Sequence, residues 1–198
     1  MLHATTPAIR DKVRGAYTAA AERPAEKHPF PVGRAFAESL GYPAELLNSL
    51  PSVAAEAFAG VSNVSSFAEI PEGAKVLDLG CGGGLDSLIA ARRVGLTGKV
   101  TGVDFSDTMI QRAREAASEA RIENIDFEKA DAERLPIADA SIDVALVNGI
   151  FNLNPTRDSI FREMARVLRP GGAAYAAELI LARPLPAEIK QNEADWFA

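Results

Sequence analysis

The spacing of hydrophobic positions changes near residue 71. Before it, Ile9, Val13, Ala16, Tyr17 and Ala20 recur at helical intervals and predict one amphipathic helix. Pro24, Pro29 and Pro31 then interrupt the chain, and short helices are expected at 35–40, closed by Gly41, at 43–50 and at 52–58. No run in this part has strand character. After residue 71, short apolar runs alternate with amphipathic ones. Strands are expected at 75–79, 99–103, 125–129, 142–147 and 173–181, the fourth apolar enough to be covered on both faces. Leu85, Leu88, Ile89 and Arg92 lie along one side of a helix after the first strand. The segment 107–120 gathers Met109, Ala113, Ala116, Ala117 and Ala120 on one face, with Ser106 as N-cap and Asp107 at its positive end. A last helix at 156–168 begins after Pro155, buries Ile160, Met164, Val167 and Leu168, and is followed by Gly171.

Strand alternating with helix predicts an α/β fold, a doubly wound and mostly parallel sheet with right-handed crossovers, over 71–198. Residues 1–70 form a helical N-terminal extension or lid. Ligands of such sheets bind outside the carboxyl ends of the strands. Composition narrows the partners. Apolar residues at 47% and charged residues at 24% exclude wholesale disorder. The single cysteine, Cys81, excludes an intrachain disulfide, and with two histidines leaves too few donors for a zinc site unless carboxylates dominate it, so no metal is expected. A net charge of −6 argues against a nucleic-acid partner. No signal peptide opens the chain and no run approaches the roughly 18 apolar residues of a membrane span, so a soluble cytoplasmic protein acting on a small molecule is expected.

The strongest chemical signal is Val76-Leu77-Asp78-Leu79-Gly80-Cys81-Gly82-Gly83-Gly84. A strand runs into a glycine turn whose bare backbone can press against a ligand, and a helix N-terminus follows. A dinucleotide fingerprint would require glycine at the sixth position, where Leu85 stands. Asp78 is also badly placed for a pyrophosphate and well placed to attract a cation. Asp104 ends the second strand about twenty residues beyond the turn, where a carboxylate can accept both hydroxyls of a ribose. Ser106 is the better helix cap, which leaves Asp104 free for that role. Asp131, in Ala130-Asp131-Ala132 beyond the third strand, either accepts from an adenine amino group or is a surface acid. Asn148, at the end of the fourth strand beside the first, should face the cleft. The turn Arg166-Val167-Leu168-Arg169-Pro170-Gly171-Gly172 is structural.

Asp78 to Gly84, Asp104, Asp131, the segment from Leu135-Pro136 to Asp143 and the 166–172 turn together resemble the class I S-adenosylmethionine-dependent methyltransferases, in order and spacing, over roughly residues 71–182. The resemblance implies a Rossmann-like methyltransferase fold, S-adenosylmethionine as cofactor and S-adenosylhomocysteine as product. It implies that Gly80, Cys81, Gly82 and Gly84 abut the methionine part, that Asp104 and Phe105 hold the ribose side, that Asp131 and Ala132 read the adenine, and that Tyr17 covers the site unless it simply packs its helix. A narrower resemblance, to arsenite methyltransferases, rests on Val13 to Tyr17, Leu40-Gly41-Tyr42, Leu50-Pro51, Gly60-Val61-Ser62-Asn63 and Asn148-Gly149-Ile150-Phe151-Asn152-Leu153. That family captures arsenic with thiolates, soft ligands for a soft centre. Two of its cysteine positions correspond to Val61 and Gly149, and a third would lie after Trp196.

The expected function is methyl transfer to a small-molecule acceptor by in-line displacement from the sulfonium, which needs alignment and exclusion of water more than a base. The alternatives are a cofactor-binding protein without transfer, an arsenite-type relative with an altered acceptor, and a nicotinamide-dependent oxidoreductase, which Leu85 disfavours. No residue is singled out as catalytic. His28 either enters the cleft or is a solvated loop residue. Asn152 and Asn154 either line the acceptor side or cap a helix. Cys81 has no histidine near it in sequence, and Phe151 and Phe161 are core. The tail after Leu181, interrupted by Pro184 and Pro186, has room for one helix anchored by Trp196. It has no room for the two further strands a methyltransferase sheet carries. The fifth strand is therefore expected to be an edge, covered by another subunit in a homo-oligomer, by the N-terminal region, or by the missing part of a longer protein.

Overall fold

A computed structural model describes residues 6–180 and 182, with side chains from Arg10 onward. Five helices come first: α1 (Thr6–Glu22), α2 (Arg34–Ser39), α3 (Ala44–Asn48), α4 (Ser52–Glu56) and α5 (Val64–Phe67). Then β1 (Lys75–Leu79), α6 (Leu85–Val94), β2 (Lys99–Asp104), α7 (Asp107–Glu119), β3 (Ile125–Lys129), β4 (Ile142–Asn148), α8 (Arg157–Val167) and β5 (Leu168–Ala177) follow. The strands form one parallel sheet in the order β3-β2-β1-β4-β5. The chain winds outward from β1 to β3 and returns to start again at β4, so the carboxyl ends of β1 and β4 flank the switch point. Leu79 aligns there with Val103 on one side and Val147 on the other.

Alternate residues of each strand face opposite sides, and each side has its own core. Val76, Val100, Val144 and Leu146 pack with Leu88 of α6 and Ile110 and Ala113 of α7. Tyr42, Leu47, Leu50, Phe58 and Val64 join the same cluster, so the extension covers the face that carries α6. Leu77, Leu79, Val103, Ala145 and Val147 face the other way, onto Ile160, Met164 and Val167 of α8. Burying each of the valine, leucine, isoleucine, methionine and phenylalanine side chains among them contributes about 1.5–3 kcal/mol.

Three details differ from the sequence expectation. β5 begins at Leu168 rather than 173, because the backbone of the 166–172 turn already pairs with Ile142; the register then shifts, around a left-handed Gly171, and resumes at Val144↔Ala173. The strand ends at Ala177, short of the expected 181. Helix α5 has no counterpart in the pattern. It is one turn long, capped by Asn63, whose side chain accepts from the Ser66 N–H at 3.1 Å, and four residues are too few to show a period. Arg92 is exposed and reaches out of α6 to the Ser49 hydroxyl and carbonyl, at 2.8 and 2.6 Å, fastening the end of α3. The outer edge of β5 pairs with no strand among the described residues. The expected tail helix and Trp196 lie outside them. No described helix is long and apolar enough to cross a membrane.

Candidate active site

β1 delivers its last residue, Leu79, into the glycine turn. The Gly80 and Cys81 N–H groups both bond the Val103 carbonyl, at 2.8 and 3.0 Å, which folds the turn across the end of β2. Gly80 and Gly84 both have left-handed φ, 76° and 87°. A Cβ on Gly80 would lie 2.5 Å from the Ile150 side chain, and one on Gly84 would lie 3.1 Å from Ala113. Both positions need glycine twice over, for conformation and for space. The turn forms the floor of a cleft with about 1140 Å³ of atom-free space, its open mouth included.

The sequence-selected residues Asp78, Gly80, Cys81, Gly82, Asp104, Phe105, Asp131, Ala132, Asn148 and Tyr17 all line this cleft. Gly84 does not line it; it stands one step back, starting α6. Asp104 is buried and not free. Its Oδ1 accepts from the Ser106 N–H at 2.8 Å and its Oδ2 from the Gly82 N–H at 3.0 Å. Ser106 does cap α7, accepting from Met109 N–H at 3.4 Å, yet its own N–H still takes Asp104. Each carboxylate oxygen keeps a second lone pair for a ligand hydroxyl. Burial pushes Asp104 up to about 6, against the pull of those backbone donors.

Asp78 is buried beneath the turn and accepts from the Ser87 hydroxyl. Burial, and the buried carboxylate of Asp86 beside it, push Asp78 up. Asp86, in the first turn of α6, is a second acid that the sequence analysis missed. It accepts from Tyr42 Oη at 2.8 Å, Ser65 Oγ at 2.6 Å and Asn148 Nδ2 at 3.0 Å. Burial raises its pKa while these donors lower it. Asn148 lines the cleft, but its amide is engaged with the extension. Its Oδ1 accepts from Val61 and Ser62 N–H at 2.8 and 3.2 Å, and its Nδ2 donates to the Ser62 carbonyl at 2.8 Å. Asp86 and Asn148 thus pin the 60–62 loop against the strand ends.

α1 lies along the opposite rim. Tyr17 stacks on Phe30, centroids 4.5 Å apart, and meets Phe105 edge-on at 6.5 Å. Burial, with Glu178 and Asp104 nearby, raises its phenol and keeps it protonated. Arg14 sits 5.8 Å from the Phe105 ring centre and pairs with Asp131; Arg10 reaches Glu133 at 3.0 Å and Asp131 at 3.7 Å. Arg10, Arg14 and Glu133 were not selected from the sequence.

Other candidates fall away. His28 does not line the cleft; its ring Nε2 lies 2.9 Å from the Arg23 carbonyl. Asn152 is outside as well, with its amide donating to the Leu179 carbonyl. Asn154 lines the cleft, and its side chain also accepts from Thr156 N–H at 2.8 Å before α8. Phe151 is buried against the exposed Phe161. Cys81 is buried, and burial beside Asp104 and Asp78 pushes its thiol well up, away from a nucleophile. The 166–172 turn is structural: Arg166 bonds the carbonyls of Ile137 and Leu135 and pairs with Glu163 and Asp139.

A parallel sheet with a glycine turn at its switch point, an acid after each of the next two strands and a cleft above them define a Rossmann-like α/β domain. Residues 70–197 match a family described as a methyltransferase domain. The chain belongs to the S-adenosylmethionine-dependent methyltransferase family. It is similar to an arsenite methyltransferase of Halobacterium salinarum, 37% identical over 155 residues, which are 78% of this chain and 39% of that protein. It is also similar to a demethylmenaquinone methyltransferase of Listeria monocytogenes, 38% identical over 104 residues, 52% of this chain and 44% of that one. An arsenic(III) S-adenosylmethionine methyltransferase of Chlamydomonas reinhardtii superposes with a TM-score of 0.62 at 28% identity, covering 79% of this chain and 52% of that one. The chain spans about two fifths of the length of the curated relatives it matches.

Proposed function

We infer that the cleft holds S-adenosylmethionine and that the chain transfers its methyl group to a small-molecule acceptor. The observation that carries this is the convergence of the glycine turn, Asp104 and Asp131 on one cleft. The donor set fits the cofactor: five acidic side chains line the cleft against two arginines, a lining that suits a cation and opposes a polyanion. The turn at Gly80 and Gly82 abuts the methionine part, Asp78 below it offers a buried carboxyl whose ionisation a bound cation would favour, Asp104 accepts from the ribose, and Asp131 with the Ala132 backbone meets the adenine. When bound, the cofactor supplies a methyl group already activated by its sulfonium. Tyr17, held from α1 over Phe105, keeps water out of the line of attack.

Arsenic(III), the acceptor named for several relatives, is disfavoured by the donors present. Val61 and Gly149 face each other so closely that a Cβ on Gly149 would lie 2.9 Å from Val61 Cγ1, and no thiol stands at either position. The remaining thiol, Cys81, is buried and held protonated. Calorimetry with S-adenosylmethionine, S-adenosylhomocysteine and NAD tests the cofactor: the first two should bind and NAD should not. Release of S-adenosylhomocysteine across a panel of amines, thiols, phenols and arsenite then tests transfer. Binding without turnover on any acceptor would favour the cofactor-binding alternative, and NAD binding in place of the others would sink the reading.

A further inference from the structure

The two acids after β2 and β3 are held differently. Both oxygens of Asp104 are fixed by backbone N–H groups. Asp131 is half-exposed, and among the described residues no backbone N–H donates to its carboxylate; Arg14 hydrogen-bonds its Oδ1 and Arg10 stands 3.7 Å from the same oxygen. Oδ2 has no partner among the described residues and stays available to a donor in the cleft. Left to itself, an aspartate at this exposure would rotate among its rotamers. The two arginines project from α1, one turn apart, and Arg14 is steadied over the Phe105 ring. The far end of α1 is anchored independently. Arg112 of α7 donates to the Ala21 carbonyl at 2.6 Å, and Ala21 is buried with Ala57 and Met109. The helix is therefore fixed at its C-terminal end, while its N-terminal half meets the cleft rim through charge.

We propose that Arg14, with Arg10, is a positioning residue for base recognition: it locks the Asp131 carboxylate with Oδ2 turned to the exocyclic amino group of the adenine. This rests on the cofactor reading above. Arg14 hydrogen-bonds Oδ1 and Arg10 adds its charge 3.7 Å from the same oxygen, which biases the carboxylate toward the rotamer that leaves Oδ2 on the cleft side; the amino group donates to Oδ2, and a base carrying a carbonyl at that position would present an acceptor to an acceptor. The extension thus sets the fidelity of a site whose other contacts lie on the sheet.

The test compares S-adenosylhomocysteine with its deaminated analogue, S-inosylhomocysteine, by equilibrium binding. The native protein should prefer the adenine form by roughly tenfold, the lower end of the scale for a mismatched polar pair, because Asp131 is half-exposed. Arg14→Ala, and more so Arg10→Ala with Arg14→Ala, should narrow that preference by roughly twofold to fivefold, the scale of exposed ion pairs. Arg14→Lys should retain part of it. Raising salt from 0.05 to 0.5 M should narrow the preference of the native protein and leave that of the double variant unchanged. An equal loss for both ligands, with the preference intact, would reduce the arginines to a structural role and overturn the proposal. No preference in the native protein would overturn it too, by removing Asp131 from the base. Failure of S-adenosylhomocysteine to bind at all would instead sink the cofactor reading on which it stands.

Discussion

The two walls of the cleft are built by different physics. The sheet wall comes from strand ends: the glycine turn is fixed by backbone bonds to Val103, and Asp104 by the N–H groups of Gly82 and Ser106. The extension wall is attached through side chains. Asp86 gathers Tyr42, Ser65 and Asn148, Asn148 holds the 60–62 loop, and Arg10 and Arg14 clasp Asp131 and Glu133. The first wall is rigid because ordinary sheet geometry makes it so. The second can be tuned by single substitutions without touching the sheet.

The sharpest way to break the first wall is Gly84→Val. A side chain there would be forced into a left-handed backbone and to within 3.1–3.2 Å of Ala113 and Phe127. A loss of about 4 kcal/mol is expected, with cofactor binding lost alongside; a thermal melt near that of the native protein would contradict this. Asp104 gives the next effect, through pH. Burial holds its folded-state pKa near 6, above the ordinary carboxylate value, so the folded protein takes up a proton that the unfolded chain does not. Asp104 should therefore add stability as the pH falls from about 6 toward 4, by an amount on the order of 3 kcal/mol, and Asp104→Asn should make that slope shallower in denaturant titrations, leaving the part that the raised Asp78 and Asp86 supply. Glu163 works in the opposite sense: held down to about 2 chiefly by its hydrogen bonds from Arg166, it contributes above the ordinary glutamate pKa and loses that contribution as the pH falls toward 2. An unchanged slope in Asp104→Asn would assign all of it to the Asp78–Asp86 pair instead.

On the second wall, Asp86→Ala leaves three donors without their acceptor. A loss of about 2 kcal/mol is expected, with new proteolytic cleavage near residues 60–62 before the sheet melts. Simultaneous loss of both walls would show that the hub supports the sheet as well. The smallest effect falls outside the cleft. Lys99 and Asp126 pair at 2.8 Å on exposed side chains, and Lys99→Ala should leave the melting midpoint within experimental scatter.

The sequence showed the sheet wall well, because each of its parts is local. An apolar run followed by glycines is a strand and its turn, and Asp104 and Asp131 are found by counting from strand ends. Ser106 is legible as a cap, yet capping does not free Asp104, since it uses the serine side chain and leaves the serine N–H for the aspartate. The extension wall was scarcely visible. Asp86 looks like an acid placed to suit a helix N-terminus, and its partners stand 44, 21 and 62 residues away. Arg10 and Arg14 lie on the polar side of an amphipathic helix, where charge is ordinary. The early start of β5 was hidden because Arg169-Pro170-Gly171-Gly172 has turn composition even where the backbone pairs.

The burial of Cys81 has a practical corollary. The sole thiol of the chain lies inside the very bend that the ligand is proposed to cover. A small alkylating reagent can reach it when that bend opens, so the labelling rate measures local breathing at the heart of the cleft. One residue, already in place, offers a built-in clock for how firmly any bound compound keeps the bend shut.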